Sequence, residues 1–179
     1  MKKRNWSLSG LWVLIALLAV GVSGCGSDEE SVLRYAAPSF GVERMDPSQG
    51  FTGALTTGPL IDWLTIFSTD GKLQPGLALS WEQADDGLSW LFKLREGVKF
   101  HDGEEMTAED VRFSMMEGFM REGSTSGKAT TYRKRLKEVE VVDDHTARIH
   151  TNGPWINLPF LLSTFGGIEG VVLPSHYIQ

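Results

Sequence analysis

The sequence predicts a domain of mixed α and β structure, and three observations support this. Two pairs of apolar or alternating segments are each joined by a turn that contains Asp, at residues 85–87 and 143–145, which is the pattern of β-hairpins. Thr107 precedes apolar residues at helical spacing, which indicates a capped helix. The 20 Gly and 7 Pro are spread throughout, which argues against a helical bundle, and 6 Trp and 9 Phe are ample for a core.

The strand predictions come from short runs that alternate or carry aromatic residues and are bounded by turn residues. The predicted strands are residues 32–37, 79–83, 88–94, 139–142 and 146–151. A further turn of the Asp-Gly kind is expected at residues 69–72. Trp81 and Trp90 flank the turn of the first hairpin, where they are placed to pair across its two strands.

The helix predictions rest on capping residues and on apolar spacing. Thr107 suits the N-cap position, and Asp110, three residues later, completes a pattern close to a capping box. Apolar residues over 52–67 have nearly helical spacing. Pro59 either interrupts this helix or lies in the first turn of a helix that begins near Thr57. Residues 132–137 are predicted as helical or irregular, 155–164 as a short helix or extended segment, and 174–179 as the start of a helix.

The N-terminus has the layout of a signal peptide for export. Lys2, Lys3 and Arg4 precede an apolar run over residues 11–22, which is shorter than the roughly 20 residues of a membrane-spanning helix. The run ends in Val-Ser-Gly-Cys, which resembles a bacterial lipobox, so Cys25 is predicted to carry a diacylglycerol as the first mature residue. The alternative is a plain signal peptide, or an uncleaved anchor, with an incidental cysteine.

These features divide the chain into three parts. Residues 1–24 are predicted as a lipoprotein signal peptide, 25–31 as a lipidated polar tether, and 32–179 as the folded part of the chain. Removing the three basic residues of the signal changes the formal charge from −6 to about −9. This acidic balance argues against nucleic acid and anionic lipid as partners.

Three motifs that carry chemistry in other proteins are incomplete here. Residues 123–128 (GSTSGK) depart from a phosphate loop, with three residues between the glycines and Ala129 after the lysine, so a solvated loop is expected. Residues 101–105 (HDGEE) place four potential metal ligands together, but without the spacing of a zinc or calcium site. The chain has no Gly-x-Ser-x-Gly elbow. The sequence therefore predicts no catalytic residue, cofactor or metal site.

The aromatic residues of the first hairpin and its continuation are expected to pack in the core. These are Trp81, Trp90, Phe92 and Phe100. Trp63 and Trp155 lie outside the hairpin, which makes them the better candidates for stacking on a ligand.

Several segments, in order, carry a resemblance to one family. The signature is found in LALSWE at residues 77–82 and DDGLSWLFKLREGVKFHDG at residues 85–103. Further landmarks are TAEDV at residues 107–111, VEVVDDHTARI at 139–149, LPFLL at 158–162 and LPSHY at 173–177. With these segments the sequence is similar to the family 5 extracellular solute-binding proteins, the oligopeptide-, dipeptide- and nickel-binding proteins of ABC importers.

This resemblance implies an α/β fold of the periplasmic-binding-protein type II kind, a two-lobed clamp that closes on its ligand. Family chains are several hundred residues long, so we expect residues 32–179 to be an incomplete solute-binding domain that covers the N-terminal part of the first lobe, as a fragment or a truncated gene model. By analogy, residues 52–57 and their flanks lie near the cleft, so the predicted ligand-binding residues are Thr52, Thr56 and Thr57 together with Trp63 and Trp155.

The resemblance further implies a substrate-binding lipoprotein that is not an enzyme. It would hold peptides or a related small solute, with nickel, haem, sugars and opines as ligands of relatives, and would deliver them to permease and ATPase subunits. Its location would be the extracytoplasmic face of the cell membrane, where the lipid anchors it. The alternatives are a receptor or sensor lipoprotein with the same fold, an exported hydrolase, and a non-functional fragment.

Overall fold

The computed structural model describes residues 58–124 and 126–176, all of which belong to one compact unit. Several predictions lie outside these residues: the signal peptide, the tether with Cys25, the strand at residues 32–37, and Thr52, Thr56 and Thr57. Within the described ranges, no helix is both long and apolar enough to cross a bilayer.

The centre of the fold is a four-stranded antiparallel sheet. Its strands are β3 (Ala78–Gln83), β4 (Ser89–Leu94), β5 (Leu136–Asp143) and β6 (Thr146–Thr151). Their order across the sheet is β3-β4-β6-β5. Both predicted hairpins are therefore confirmed. Each turn uses the same device, because Asp86 accepts the Leu88 backbone N–H and Asp143 accepts the His145 backbone N–H.

The predicted pairing of Trp81 with Trp90 is wrong in register. Trp81 lies opposite Phe92, and Trp90 lies opposite Gln83, so the two indoles are diagonal neighbours. The register is set by the sheet's core face, where Phe92 is completely buried.

A second, smaller hairpin joins β1 (Thr65–Phe67) to β2 (Leu73–Pro75) through the predicted Asp-Gly turn. Gly71 in that turn has a φ of 80°, which favours glycine. The helix predicted across residues 52–67 is wrong in its described part, where a single 3-10 turn (Gly58–Leu60) leads into extended chain. The β-branched and aromatic residues of β1 pair with β2, and this tertiary pairing overrides the helical spacing.

Helices and turns connect the strands. α1 (Ala108–Phe113) continues as a π-helical segment (Ser114–Phe119); α2 (Ala129–Arg135), α3 (Leu158–Leu161) and a 3-10 turn (Ile168–Gly170) follow. The cap of α1 is confirmed, because the Thr107 backbone N–H donates to Asp110 Oδ2 at 2.8 Å. The structure also decides two alternatives that the sequence leaves open. Residues 132–137 are helical up to Arg135, and residues 155–164 contain the short helix α3.

The core lies between one face of the sheet and α1. Phe92, Ala147 and Ile149 of the sheet are buried against Ala108 and Val111 of the helix. Alternate residues of β6 are buried, as expected for an antiparallel sheet with one covered face.

Replacing Phe92 with Ala tests this core. We expect Phe92→Ala to lower the free energy of unfolding by about 3–5 kcal/mol, because it leaves a cavity under α1. Lys93→Ala, on the exposed side of the same strand, is the control and should change it by no more than about 0.5 kcal/mol. Urea unfolding followed by tryptophan fluorescence measures both, and equal effects would contradict the assignment.

Candidate functional site

A cleft of about 410 Å³ opens where three separate segments meet. The first wall is residues 60–62, the second is the loop at residues 98–102 with Met106, and the third is residues 172–174; Leu77 also lines the cleft. Most of the lining side chains are apolar. A concave apolar surface with a few charged groups at its edge is typical of a small-molecule site.

The second wall, residues 98–106, is a tight loop that we call the cleft loop. Its two arms are joined because the Met106 N–H donates to the Val98 carbonyl at 2.8 Å and the Phe100 N–H donates to the Glu104 carbonyl at 2.9 Å. Gly103 turns the chain with a φ of 94°. The loop therefore presents Lys99 and the Phe100 ring to the cleft on a fixed backbone.

The third wall is held by two side chains of the helix that follows Thr107. Ser114 Oγ accepts the Leu173 backbone N–H at 2.7 Å, and Asp110 Oδ1 accepts the Ser175 backbone N–H at 2.8 Å. Asp110 and Ser114 are four residues apart, so they lie on one helix face, and both are buried. The helix cap thus also fixes a wall of the cleft.

The first wall continues into Trp63, which is half-buried. Its indole Nε1–H donates to the Gly167 carbonyl at 2.7 Å, and the next residue, Leu64, donates its backbone N–H to the Gly170 carbonyl at 2.8 Å. A Cβ at Gly170 would overlap the Leu162 carbonyl oxygen, so the close approach of residue 170 to the end of α3 requires glycine there. Trp63 is positioned beside the cleft, adjacent in sequence to Asp62, which lines it.

Charged groups lie at the edge of the cleft. His176 Nε2 is 2.7 Å from Asp102 Oδ2, and this hydrogen bond, helped by the Glu104 backbone N–H, lowers the pKa of Asp102 below its ordinary value. The pKa of Glu105 is also lowered, chiefly by the Gly97 N–H and then by His145. Both carboxylates are therefore ionised at neutral pH.

The other residue predicted from sequence as a ligand contact, Trp155, lies in the core. It is 1% exposed, its ring packs against Tyr132 with centroids 5.1 Å apart, and the Arg135 guanidinium lies 4.6 Å from its centroid. Burial raises the pKa of the Tyr132 hydroxyl well above its ordinary value. Trp155 therefore contributes packing here, whereas Trp63 has an accessible surface.

Residues 101–105, and residues 123–128 apart from residue 125, lie in the described part of the chain. Within it, no group of three or more His, Cys, Asp or Glu side chains is arranged to hold a metal ion. The loop at residues 123–128, which the sequence predicts to be solvated, is only partly exposed: Ser126 is buried, and its hydroxyl donates a hydrogen bond to the Glu169 carboxylate. A second groove, of about 320 Å³, lies on the sheet between Glu82, Asp85 and Arg148, and its lining is more polar than that of the cleft.

Comparison with known proteins decides the family. The profile described as "Bacterial extracellular solute-binding proteins, family 5 Middle" matches residues 72–170, more than half of the chain. This chain belongs to that family. The resemblance predicted from the sequence is thereby confirmed.

Two curated relatives and a solved structure show how far the family likeness extends. The chain is 43% identical to heme-binding protein A of Haemophilus influenzae over 100 residues, 48% of this chain and 18% of that protein. It is 30% identical to di/tripeptide-binding protein 2 of Pseudomonas aeruginosa over 185 aligned residues, 89% of this chain and 34% of that protein. The crystal structure of NikZ from Campylobacter jejuni in complex with Ni(L-His) matches with a TM-score of 0.66 and 28% identity, covering 76% of this chain and 26% of that one.

The fold of this family 5 protein is therefore the α/β fold of the type II periplasmic binding proteins, as predicted. The chain spans roughly a fifth to a third of the length of the two curated relatives.

Asp110→Ala in this family 5 protein tests the link between the helix cap and the third wall. We expect a loss of about 1–3 kcal/mol in the free energy of unfolding, because two backbone N–H groups lose their acceptor. Hydrogen exchange at the Ser175 amide should also accelerate. Glu109→Ala is the neighbouring control, because it removes a surface ion pair with Arg112. If Glu109→Ala lowered the free energy of unfolding as much as Asp110→Ala, the role assigned to the Asp110 carboxylate would be contradicted.

Proposed function

We propose that this chain is the solute-binding component of an ABC importer and that it captures a peptide or a related small solute for the membrane permease. The observation that carries the proposal is the family match over residues 72–170. The named ligands of its relatives, heme, di- and tripeptides, and Ni(L-His), belong to those proteins. Each of these names specifies the binding of a small solute, so we infer binding and not catalysis.

The cleft suits a peptide-like solute in its chemistry. Leu60, Phe100 and Leu173 offer apolar contact to side chains, while Asp62 and Lys99 place opposite charges at its edge. A free peptide carries an ammonium and a carboxylate at its two ends, which such a pair would complement. Ordered water would fill the remaining polar gaps, so one cleft would accept different side chains.

Delivery to the permease requires two conformations. In the proposed cycle, a second lobe, contributed by polypeptide beyond this length of chain, closes over the cleft when solute is bound. The solute favours the closed form only through its greater affinity for that form. ATP hydrolysis would take place in the partner subunits.

We further propose that the protein is a lipoprotein on the extracytoplasmic face of the membrane. Cys25 would carry the diacylglycerol, and residues 25–31 would form the polar tether. Each buried CH₂ contributes about 0.8 kcal/mol, so more than one acyl chain gives stable anchoring.

Solute capture predicts a thermal shift. A solute at about one hundred times its Kd should raise Tm by about 5–10 °C, since binding to the native state stabilises it by mass action. The screen compares di- to pentapeptides with nickel–histidine, haem, sugars and opines. No shift with any peptide would exclude the proposed solute class.

The lining of the cleft predicts that the charge of Lys99 contributes to peptide affinity. Lys99→Ala should weaken peptide binding about tenfold, because it removes the cationic partner of the solute carboxylate. Lys137→Ala, an exposed lysine on β5, is the matched control and should change Kd less than twofold. Titration calorimetry measures both, and an equal loss in the two variants would place the solute elsewhere.

Lipidation predicts a change in membrane attachment. Cys25→Ser should move the protein from the membrane fraction to the soluble extracytoplasmic fraction and abolish incorporation of labelled palmitate. Ser23→Ala, two residues earlier, should retain both properties. Palmitate labelling that persists in Cys25→Ser would show that the cysteine is not the anchor.

A further inference from the structure

We infer that the cleft selects its solute by an apolar side chain and that Met106 is a residue that determines this specificity. The inference rests on the proposed function and deepens it, because it names the class of peptide that the cleft takes. That class is short peptides with free ends and an aliphatic or aromatic side chain.

The residues that line the cleft fall into two groups by their exposure. Four apolar residues, none more than 8% exposed, form what we call the buried lining: Leu77, Met106, Val172 and Leu173. The ionisable residues of the same lining are all exposed: Asp62, Lys99, His101 and Asp102. A bound peptide can therefore keep its charged ends near water while its side chain reaches the buried lining.

The buried lining is held on a fixed backbone. The Leu77 N–H donates to the Trp63 carbonyl at 2.9 Å, and the Met106 N–H donates to the Val98 carbonyl at 2.8 Å. The third wall is fixed by the helix behind it. Because these hydrogen bonds occupy the backbone groups, the buried lining offers a preorganised apolar surface to the solute.

Such a surface discriminates between solute side chains. Each CH₂ that a solute buries there should strengthen binding by about fourfold. A lysine or glutamate side chain in the same place would lose its hydration without a polar partner in the buried lining. The volume of about 410 Å³ lies toward the lower end of the range for small-molecule pockets, about 300–1,000 Å³, which favours short peptides.

Met106 belongs both to the cleft lining and to the main core cluster, and it is only 1% exposed. Shortening its side chain would extend the cleft toward the core and make room for a larger solute side chain. Its unbranched thioether chain also adapts to neighbours of different shape, which suits a surface that accepts several apolar side chains.

Titration calorimetry with six dipeptides tests the inference. All six begin with alanine, and the second residue is alanine, valine, leucine, phenylalanine, lysine or glutamate. Alanyl-leucine should bind at least tenfold more tightly than alanyl-alanine, alanyl-lysine or alanyl-glutamate, with alanyl-valine in between.

The role of Met106 is tested by a pair of methionine variants. In Met106→Ala, the affinity for alanyl-phenylalanine relative to alanyl-leucine should rise about fivefold, because the larger ring gains space. Met120→Ala truncates another buried methionine, outside the cleft lining, and should leave this ratio unchanged. An unchanged ratio in folded Met106→Ala would overturn the role of this residue.

A pair of exposed leucines keeps the test decisive if Met106→Ala does not fold. Leu60, on the first wall, is 46% exposed, so Leu60→Ala should fold normally and lower the affinity ratio of alanyl-leucine to alanyl-alanine about threefold. Leu88, beside the turn of the first hairpin, is 41% exposed and lies outside the lining, so Leu88→Ala should leave the ratio unchanged.

The outcomes separate this inference from the proposed function. Equal affinities for all six dipeptides, or a leucine preference that is the same in Leu60→Ala as in the unmodified protein, would overturn the selectivity alone. No binding of any dipeptide or longer peptide would overturn both the selectivity and the proposed capture of peptides.

Discussion

One buried carboxylate connects the core of this protein to its cleft. Asp110 is 4% exposed, and its two oxygens accept backbone N–H groups from Thr107, at the start of the helix, and from Ser175, beyond the third wall. A buried carboxylate without donors is costly, so neither segment can leave without a large penalty. Ser114, one turn later, holds Leu173 in the same way. The wall is thus fixed to a helix that is itself packed on the sheet.

Local chemistry made much of the sheet and the main helix predictable. The Asp-containing turns and the Thr107 cap are short-range signals, and each formed where expected. Features set by distant partners were not predictable. The register that places Trp81 opposite Phe92 depends on the core face, and the extended course of β1 depends on β2.

The cleft itself could not be predicted from the sequence, because its walls come from segments up to about a hundred residues apart. The sequence predicts Asp110 as a capping residue, but nothing local indicates that its second oxygen accepts the Ser175 backbone N–H. The sequence predicts Trp63 and Trp155 equally as ligand contacts, because both lie outside the first hairpin. Only tertiary packing separates the half-buried ring beside the cleft from the one in the core. The family, by contrast, was identifiable because many short landmarks occur in order.

A crystal structure with the solute that gives the largest thermal shift tests the role of the cleft most directly. The solute should lie against Lys99, Phe100 and Leu173, with its charged ends near Lys99 and Asp62. A solute found instead in the polar groove between Glu82, Asp85 and Arg148 on the sheet would contradict the assignment.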